Sequence, residues 1–379
     1  MQASELFNQP NTILLDGGMG TMLQAAGMKL GTRPEDLNIE NPELIRSIHA
    51  KYAAAGSRVV NANTFGASPH KLADSKYTLE EVITAGIANC KQAVAPYGAL
   101  VTLDVGPLGE LLEPSGTLAF EDAVAEYGRI VRAGVAAGAD ILYFETFTDL
   151  YEMKAALLAA KENSTLPIMA SMSFEANGRT FTGCTVESFA ATARGLGANA
   201  VGINCSLGPK EIFPMAKRLA EAVPGDFPVF VKPNAGLPRA DGSGYDITPQ
   251  LYAMQMKPYR ELHLFAAGGC CGTTPEFIQM LNGVFADCKP GRPEHPMLSV
   301  ICSPVDCVNV DGITVVGERI NPTGKKRFQQ ALRDGDMNYI LEQAVSQAEA
   351  GAQILDVNVG APGVDEPARM EQVVKALQS

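Results

Sequence analysis

The sequence predicts an α/β chain whose main part is a (β/α)8 TIM barrel, followed by a linker and an incomplete second βα domain. Three observations carry that reading. Between Asn11 and Phe285, short apolar runs alternate eight times with alanine-rich segments of helical spacing. The runs are nearly continuous rather than alternating in polarity, as parallel strands covered on both faces must be. Each run also ends on polar residues: Asp16, Asn61 with Thr64, Asp104, Glu145, Ser173, Asn204 with Cys205, Lys232 with Asn234, and Cys270 with Cys271. A barrel gathers its chemistry at the carboxyl ends of its strands, and the strand starts show no such enrichment.

In chain order, strands are expected at Thr12–Leu15, Arg58–Asn61, Leu100–Leu103, Asp140–Phe144, Pro167–Ser171, Ala200–Ile203, Pro228–Val231 and Leu262–Ala266. Helices are expected at Pro42–Ala55, Leu79–Ala95, Phe120–Ala137, Leu150–Lys161, Val186–Arg194, Pro209–Ala222, Thr248–Tyr259 and Pro275–Phe285. Gly-Ser-Arg and Gly-Ala-Asp turns precede several strands and suit αβ loops. Eight such units favour a closed barrel over an open doubly wound sheet.

The first domain is therefore taken as residues 1–287. The proline-rich Asp287–Pro296 opens a linker, 288–312, that also carries Cys302 and Cys307 in a loop-like stretch. The second domain, 313–379, reads as strand Ile313–Val316, helix Asp336–Ala350, strand Gln353–Val359 and helix Glu366–Leu377. Two βα units are too few to close a barrel. The expectation is a truncated chain, because Glu318 with Asn321, and Asp356 with Asn358, look like functional strand ends whose partner strands are missing.

Composition narrows the function. With 46% hydrophobic residues in 379, the chain buries a sizeable core. A net charge of −12 argues against nucleic acid as partner. Met1–Pro10 has no secretory pattern and no run is long enough to span a membrane, so a cytoplasmic protein is expected. The eight cysteines then point to metal binding, catalysis or burial rather than disulfides.

Cysteine placement is the sharpest signal. Cys205 ends one strand; Cys270 and Cys271, set between glycines, end another with one strand between them. Alone, the vicinal pair reads as small buried residues or a strained disulfide. With Cys205, the three thiolates make an open zinc site, three protein ligands and one free position. Asp16-Gly17-Gly18-Met19-Gly20-Thr21 lacks the G-x-G-x-x-G spacing, since Leu23 replaces the last glycine. Either it is a tight turn, or its backbone N–H groups accept a carboxylate while Asp16 pairs with an ammonium, which suits an amino acid. Asn61–Gly66 reads as a βα turn. Glu145 follows a buried run and needs a partner, which a substrate ammonium supplies. No histidine stands in a nucleophile pattern, and His263 reads as structural.

These motifs resemble the homocysteine S-methyltransferase family: DGGMGT at Asp16–Thr21, NANTFGAS at Asn61–Ser68, YFET at Tyr143–Thr146, GINCS at Gly202–Ser206, KPNAG at Lys232–Gly236 and GGCCGT at Gly268–Thr273. The later VVGERINPTG and LDVNVG resemble the start of a pterin-binding methyltransferase domain. That order is similar to the amino-terminal half of the cobalamin-dependent methionine synthases. The resemblance implies zinc on Cys205, Cys270 and Cys271, with Asn234 in the fourth position when substrate is absent. It implies that Asp16, Gly17, Thr64 and Glu145 hold homocysteine, and that Glu318, Asn321, Asp356 and Asn358 are the positions available to a pterin. The expected reaction is methylation of homocysteine to methionine. Its donor is methylcobalamin on a corrinoid domain or protein, recharged from methyltetrahydrofolate, neither cofactor being expected on this chain alone. The rival readings are a small onium donor (betaine or S-methylmethionine), another thiol or selenol substrate, and a non-catalytic zinc module docking a corrinoid protein.

Overall fold

A computed structural model describes residues 2–29, 31–239 and 244–378. Eight parallel strands close into a ring in sequence order, the last paired back to the first. In chain order the elements are β1 (Ile13–Leu15), α1 (Met19–Ala25), α2 (Leu37–Glu40), α3 (Pro42–Ala54), β2 (Ser57–Asn61), α4 (Leu79–Val94), β3 (Leu100–Val105) and α5 (Phe120–Ala136). They continue with β4 (Ile141–Phe147), α6 (Leu150–Asn163), β5 (Ile168–Met172), α7 (Val186–Gly195), β6 (Ala200–Asn204) and α8 (Pro209–Glu221). The ring ends with β7 (Val229–Lys232), α9 (Pro249–Met256), β8 (Ala266–Ala267) and α10 (Pro275–Phe285).

The period-2 geometry of a strand divides the core. Ile13 and Leu15 point into the ring and Leu14 out toward the helices, in separate apolar clusters. The inner cluster, with Tyr143, Met169 and Phe230, fills the ring at its amino end, where Leu6 and Phe7 of a short 3-10 turn (Ala3–Asn8) close it. Only the carboxyl end is left open for chemistry. Helix starts are marked locally: Thr78, Thr185 and Thr248 cap α4, α7 and α9, and Pro42, Pro209, Pro249 and Pro275 open α3, α8, α9 and α10.

The barrel departs from expectation at several places, and α2 is among the elements not anticipated. Helix α1 follows the glycine loop directly. Strand β8 is only two residues long, because Lys257–Leu262 forms a 3-10 turn that ends on His263 in the left-handed region (φ 47°). His263 therefore lies in a turn, its Nδ1 3.1 Å from Lys289 O.

The chain forms two compact units, one of Met1–Leu112, Leu118–Met297 and Ser303–Asp306, the other of Glu113–Thr117, Leu298–Cys302 and Cys307–Ser379. The first residues of the expected linker are fastened to the barrel. Cys288 is buried and its carbonyl accepts from Thr12 N, while Arg292 donates to the carbonyls of Pro224 and Phe227. In the second unit, the expected loop around Cys302 and Cys307 is an antiparallel hairpin, β9 (Val300–Cys302) with β10 (Cys307–Asn309), the two cysteines opposite one another. The next strand, β11 (Val316–Ile320), starts where Ile313–Val316 was expected to end, and Ile313 is 99% exposed. Helix α11 (Lys326–Asp334) was not anticipated, because its charged residues mask a narrow apolar stripe of Phe328, Ala331 and Leu332. Helix α12 (Met337–Glu349), strand β12 (Ile354–Val357), parallel to β11, and helix α13 (Glu366–Gln378) complete it. Among the described residues no helix is long and apolar enough to cross a membrane.

Candidate metal centre and substrate pocket

Cys205 directly follows β6, and Cys270 and Cys271 lie in the loop after β8. Ring order puts β7 between them, so side chains must converge across one strand. Local backbone makes this possible. Cys205 and Ser206 both take left-handed φ values (62° and 60°), turning the chain back over the barrel mouth, and Cys205 N donates to Lys232 O at 3.1 Å. The three Sγ atoms lie within 4.8 Å of one another, with Cys205 and Cys271 3.8 Å apart. Tetrahedral zinc with bonds of roughly 2.3 Å sets its sulfurs roughly 3.8 Å apart, so this donor set fits such an ion. Hydrogen bonds from Cys270 and Cys271 hold Cys205 as thiolate, its pKa pushed down to about 3, while those of Cys270 and Cys271 are pushed up.

Polar neighbours fix these sulfurs. Asn204 Nδ2 is 3.9 Å from Cys270 Sγ and donates to Thr146 Oγ1 (2.7 Å), while its Oδ1 accepts from Thr146 N (2.9 Å) and Ser171 Oγ (2.8 Å). Thr146 itself is left-handed (φ 66°), a strained conformation for a β-branched residue that this clasp enforces. Asn234 Oδ1 accepts from Cys271 N at 3.0 Å, and the Asn234 side chain hydrogen-bonds to Cys205. The amide oxygen expected as a fourth ligand is thus turned to the Cys271 backbone.

Beside the sulfurs opens a cavity of about 310 Å³, lined by Asp16, Asn61, Asp104, Glu145, Lys232 and the three cysteines among others. Lys232, the last residue of β7, is 2% exposed. Its Nζ lies 2.9 Å from Asp16 Oδ1 and 3.6 Å from Glu145 Oε2, and 5.3 Å from the Tyr143 ring centre. Burial works against the ammonium, but Asp16 and then Glu145 outweigh it and raise its pKa. Burial raises Glu145 and Asp104 as well, each carboxyl held in a dry site.

Geometry separates the expected substrate contacts. Asp16 and Glu145 face the cavity, but both already pair with Lys232, and Asp16 Oδ2 also accepts from Asn61 N. Lys232 stood among the strand-end residues in the sequence but was given no role there. Its signal was there: a lysine closing an all-apolar strand is buried, and a buried ammonium needs carboxylates. Thr64 does not line the cavity. Its hydroxyl donates to Asp104 O and accepts from Asp104 N, holding the end of β3. Gly17 lines the cavity, yet its lack of a side chain is required by packing, since a Cβ there would lie 2.6 Å from Thr273 Oγ1 and 2.9 Å from the Tyr52 ring. Gly18 N, offered above as part of a carboxylate cradle, donates instead to Thr273.

In the second unit, Glu318 is on β11 and Asn321 just beyond it, while Asp356 is on β12 and Asn358 just beyond it, at the same ends of paired parallel strands. Asn321 Nδ2 donates to Glu318 Oε1, and Asn358 Oδ1 accepts from Gly360 N.

Residues 13–285 match the sequence model of the family described as Homocysteine S-methyltransferase. The chain belongs to the homocysteine S-methyltransferase family. Residues 317–379 match a second family, Pterin binding enzyme. Methionine synthase of Mycobacterium tuberculosis is 30% identical over 388 residues, covering 96% of this chain and 32% of that protein, so the chain spans about a third of its relative's length. Among solved structures, the homocysteine methyltransferase MmuM of Escherichia coli in its oxidized form has a TM-score of 0.64 at 25% identity, covering 74% of this chain and 98% of that one. The metallated form of MmuM shares the fold, with a TM-score of 0.60 at 24% identity, covering 73% of this chain and 98% of that one. Within the homocysteine S-methyltransferase family, then, this chain joins the family's barrel to a region that matches the pterin-binding family.

Proposed function

We propose that the barrel transfers a methyl group to the sulfur of homocysteine, using zinc held by Cys205, Cys270 and Cys271. One observation carries this reading: three sulfurs within 4.8 Å, lining one cavity with the carboxyls of Asp16, Asp104 and Glu145. When bound, zinc supplies the Lewis acidity that deprotonates a thiol near neutral pH, where a free one with a pKa of roughly 8.5 is mostly protonated. The chain's own residues do the rest. Cys205, Cys270 and Cys271 leave one coordination position for the incoming sulfur. Asn204 and Asn234 orient the ligands, and Asp16 and Glu145, both ion-paired with Lys232, receive the amino group. In the transfer, the homocysteine sulfur forms the new S–CH3 bond, the donor–methyl bond breaks with its electron pair left on the donor, and the thiol proton goes to solvent.

The donor in this reading is methylcobalamin on a separate corrinoid domain or protein, recharged from methyltetrahydrofolate. The pterin-binding match over 317–379 favours it, with Glu318, Asn321, Asp356 and Asn358 contributing to a folate site. A small onium donor is the second reading, favoured by the fit of this barrel to nearly the whole of a stand-alone homocysteine methyltransferase. Elemental analysis of protein purified without chelator, with homocysteine calorimetry before and after zinc removal, tests the common core. About one zinc per chain and zinc-dependent binding with proton release is expected. Binding indifferent to zinc overturns the proposal.

A further inference from the structure

The eight cysteines divide into three sets. Cys205, Cys270 and Cys271 line the cavity; Cys90, Cys184 and Cys288 are buried; Cys302 and Cys307 are half-buried, and the chemistry above does not use them. These last two stand opposite one another on the antiparallel strands β9 and β10. Hydrogen bonds fix the kind of pair they make. Ser303 N donates to Asp306 O at 2.9 Å on one side of them, and Val310 N donates to Ser299 O at 2.8 Å on the other. Bonded and unbonded pairs alternate along an antiparallel ladder, so Ser303 with Asp306 and Ser299 with Val310 are bonded pairs and Cys302 with Cys307 is an unbonded one. In an unbonded pair the side chains approach closely and the Cα atoms lie roughly 4.5 Å apart, within the roughly 4.4–6.8 Å that a disulfide spans.

The turn of this hairpin, Ser303–Asp306, belongs to the first unit and is braced there. Thr185 N donates to Pro304 O (3.2 Å), Arg179 Nη1 to Val305 O (2.9 Å) and Ser188 Oγ to Asp306 O (3.0 Å), while Ser303 Oγ accepts from Asp306 N (3.1 Å). The two sulfurs are therefore carried in a fixed register, and groups ordered before they react escape much of the entropy cost of being joined. Among the described residues, only Cys205, Cys270 and Cys271 bring three metal-ligating side chains together, so the hairpin pair has no third donor with which to hold a metal. Thiol–disulfide exchange needs no third donor.

We propose that Cys302 and Cys307 are a reversible dithiol–disulfide site whose oxidant is a small disulfide of the glutathione class. One cysteine sulfur attacks the oxidant, forming a mixed disulfide and expelling a first thiol. The facing sulfur then attacks that bond, forms the Cys302–Cys307 disulfide and expels a second thiol. The pair gives up two electrons and two protons, and the oxidant takes up both as it leaves as two thiols. The closed form staples β9 to β10. It is separate from the methyl-transfer chemistry, since neither cysteine lines the cavity.

The test equilibrates the full chain, supplied with zinc, in buffers of reduced and oxidised glutathione, then traps thiols with an alkylating agent and digests with trypsin and a glutamate-specific protease. Cleavage after Glu294 and Glu318 gives a fragment whose only cysteines are Cys302 and Cys307. As the buffer becomes more oxidising, this fragment is expected to pass from doubly alkylated to unalkylated with two hydrogens fewer, and dithiothreitol should restore both alkyl groups. In Cys302→Ser, and equally in Cys307→Ser, the remaining cysteine should carry glutathione instead, at a level roughly 10-fold above the mixed disulfide of the parent. Unfolding in urea should make closure at least about 10-fold less favourable. A fragment alkylated at both cysteines across the whole range overturns the proposal, as does glutathione on both or a disulfide joining two chains. Closure as favourable in urea as in the folded chain also overturns it, because the register of the hairpin would then contribute nothing.

Discussion

One wall of the cavity is sulfur and the other is carboxylate, and they are built on opposite principles. The sulfur wall gathers like groups that repel as thiolates and are stable together only around a shared proton or cation. The carboxylate wall carries its own cation, Lys232, which pairs with Asp16 and Glu145. In the proposed reading the first takes the metal and the second the amino group of the substrate. A zwitterionic thiol has one group for each.

The comparison breaks most sharply at Lys232. Lys232→Met leaves Asp16 and Glu145 buried without their ammonium, and loss of about 3–5 kcal/mol of stability is expected by chemical denaturation. The deficit should be larger at pH 8 than at pH 6. Unpaired buried carboxyls have raised pKa values, so the folded variant holds protons the unfolded chain has released, and stability falls as pH rises. Zinc binding should survive in whatever fraction folds. If stability barely changes, the carboxylate wall does not depend on its lysine.

Cys270→Ala attacks the other wall. Disturbing even an outer contact to a metal ligand costs about 10- to 100-fold in affinity, so removing a ligand should cost more than about 100-fold in zinc affinity and abolish turnover. The melting temperature with zinc withheld should hardly move. Retention of zinc by this variant would remove the sulfur wall from the chemistry.

A reference lies outside both walls. His49, on α3, is fully buried with neither ring nitrogen hydrogen-bonded, and burial alone pushes its pKa down to about 3. Its folded value lies below the free value of 6.5, so the unfolded chain takes up the proton first. Stability is complete above about pH 6.5 and declines as pH falls toward 3, by about 2 kcal/mol at pH 5. His49→Leu should remove that part of the acid sensitivity, measured as the difference in unfolding free energy between pH 7.5 and pH 5.

The smallest effect sharpens the link between the sulfurs and their supports. Asn204→Ala removes the hydrogen bond toward Cys270 and both arms of the Thr146 clasp. About a 10-fold loss of zinc affinity is expected in a competition titration with a chelator.

The two walls also differ in how much of each was legible from sequence. Cys205, Cys270 and Cys271 could be read because cysteine is chemically specific and its spacing survives folding. The barrel could be read because strand and helix periods are local. The carboxylate wall was half legible: Asp16, Asp104 and Glu145 stood at strand ends, but which of them Lys232 neutralises depends on the curvature of the ring. Thr64 and Gly17 were expected to contact substrate; the Thr64 hydroxyl bonds the backbone of Asp104, and Gly17 lines the cavity where packing leaves no room for a side chain, uses that a hydroxyl or a glycine does not disclose in sequence. Ile313 and α11 show the limit of hydropathy, where an apolar residue stays in solvent and a charged helix buries a thin stripe.

The interposed strand between β6 and β8 has a consequence in time. Cys205 and Cys271 are 66 residues apart in sequence, and the second follows the last and shortest strand of the ring. During synthesis the first thiol leaves the ribosome well before its partners, and cannot meet them until β8 has docked against β1 and β7. The proposed metal pocket is thus completed by the same event that closes the barrel, so that uptake of the ion would report the last step of folding.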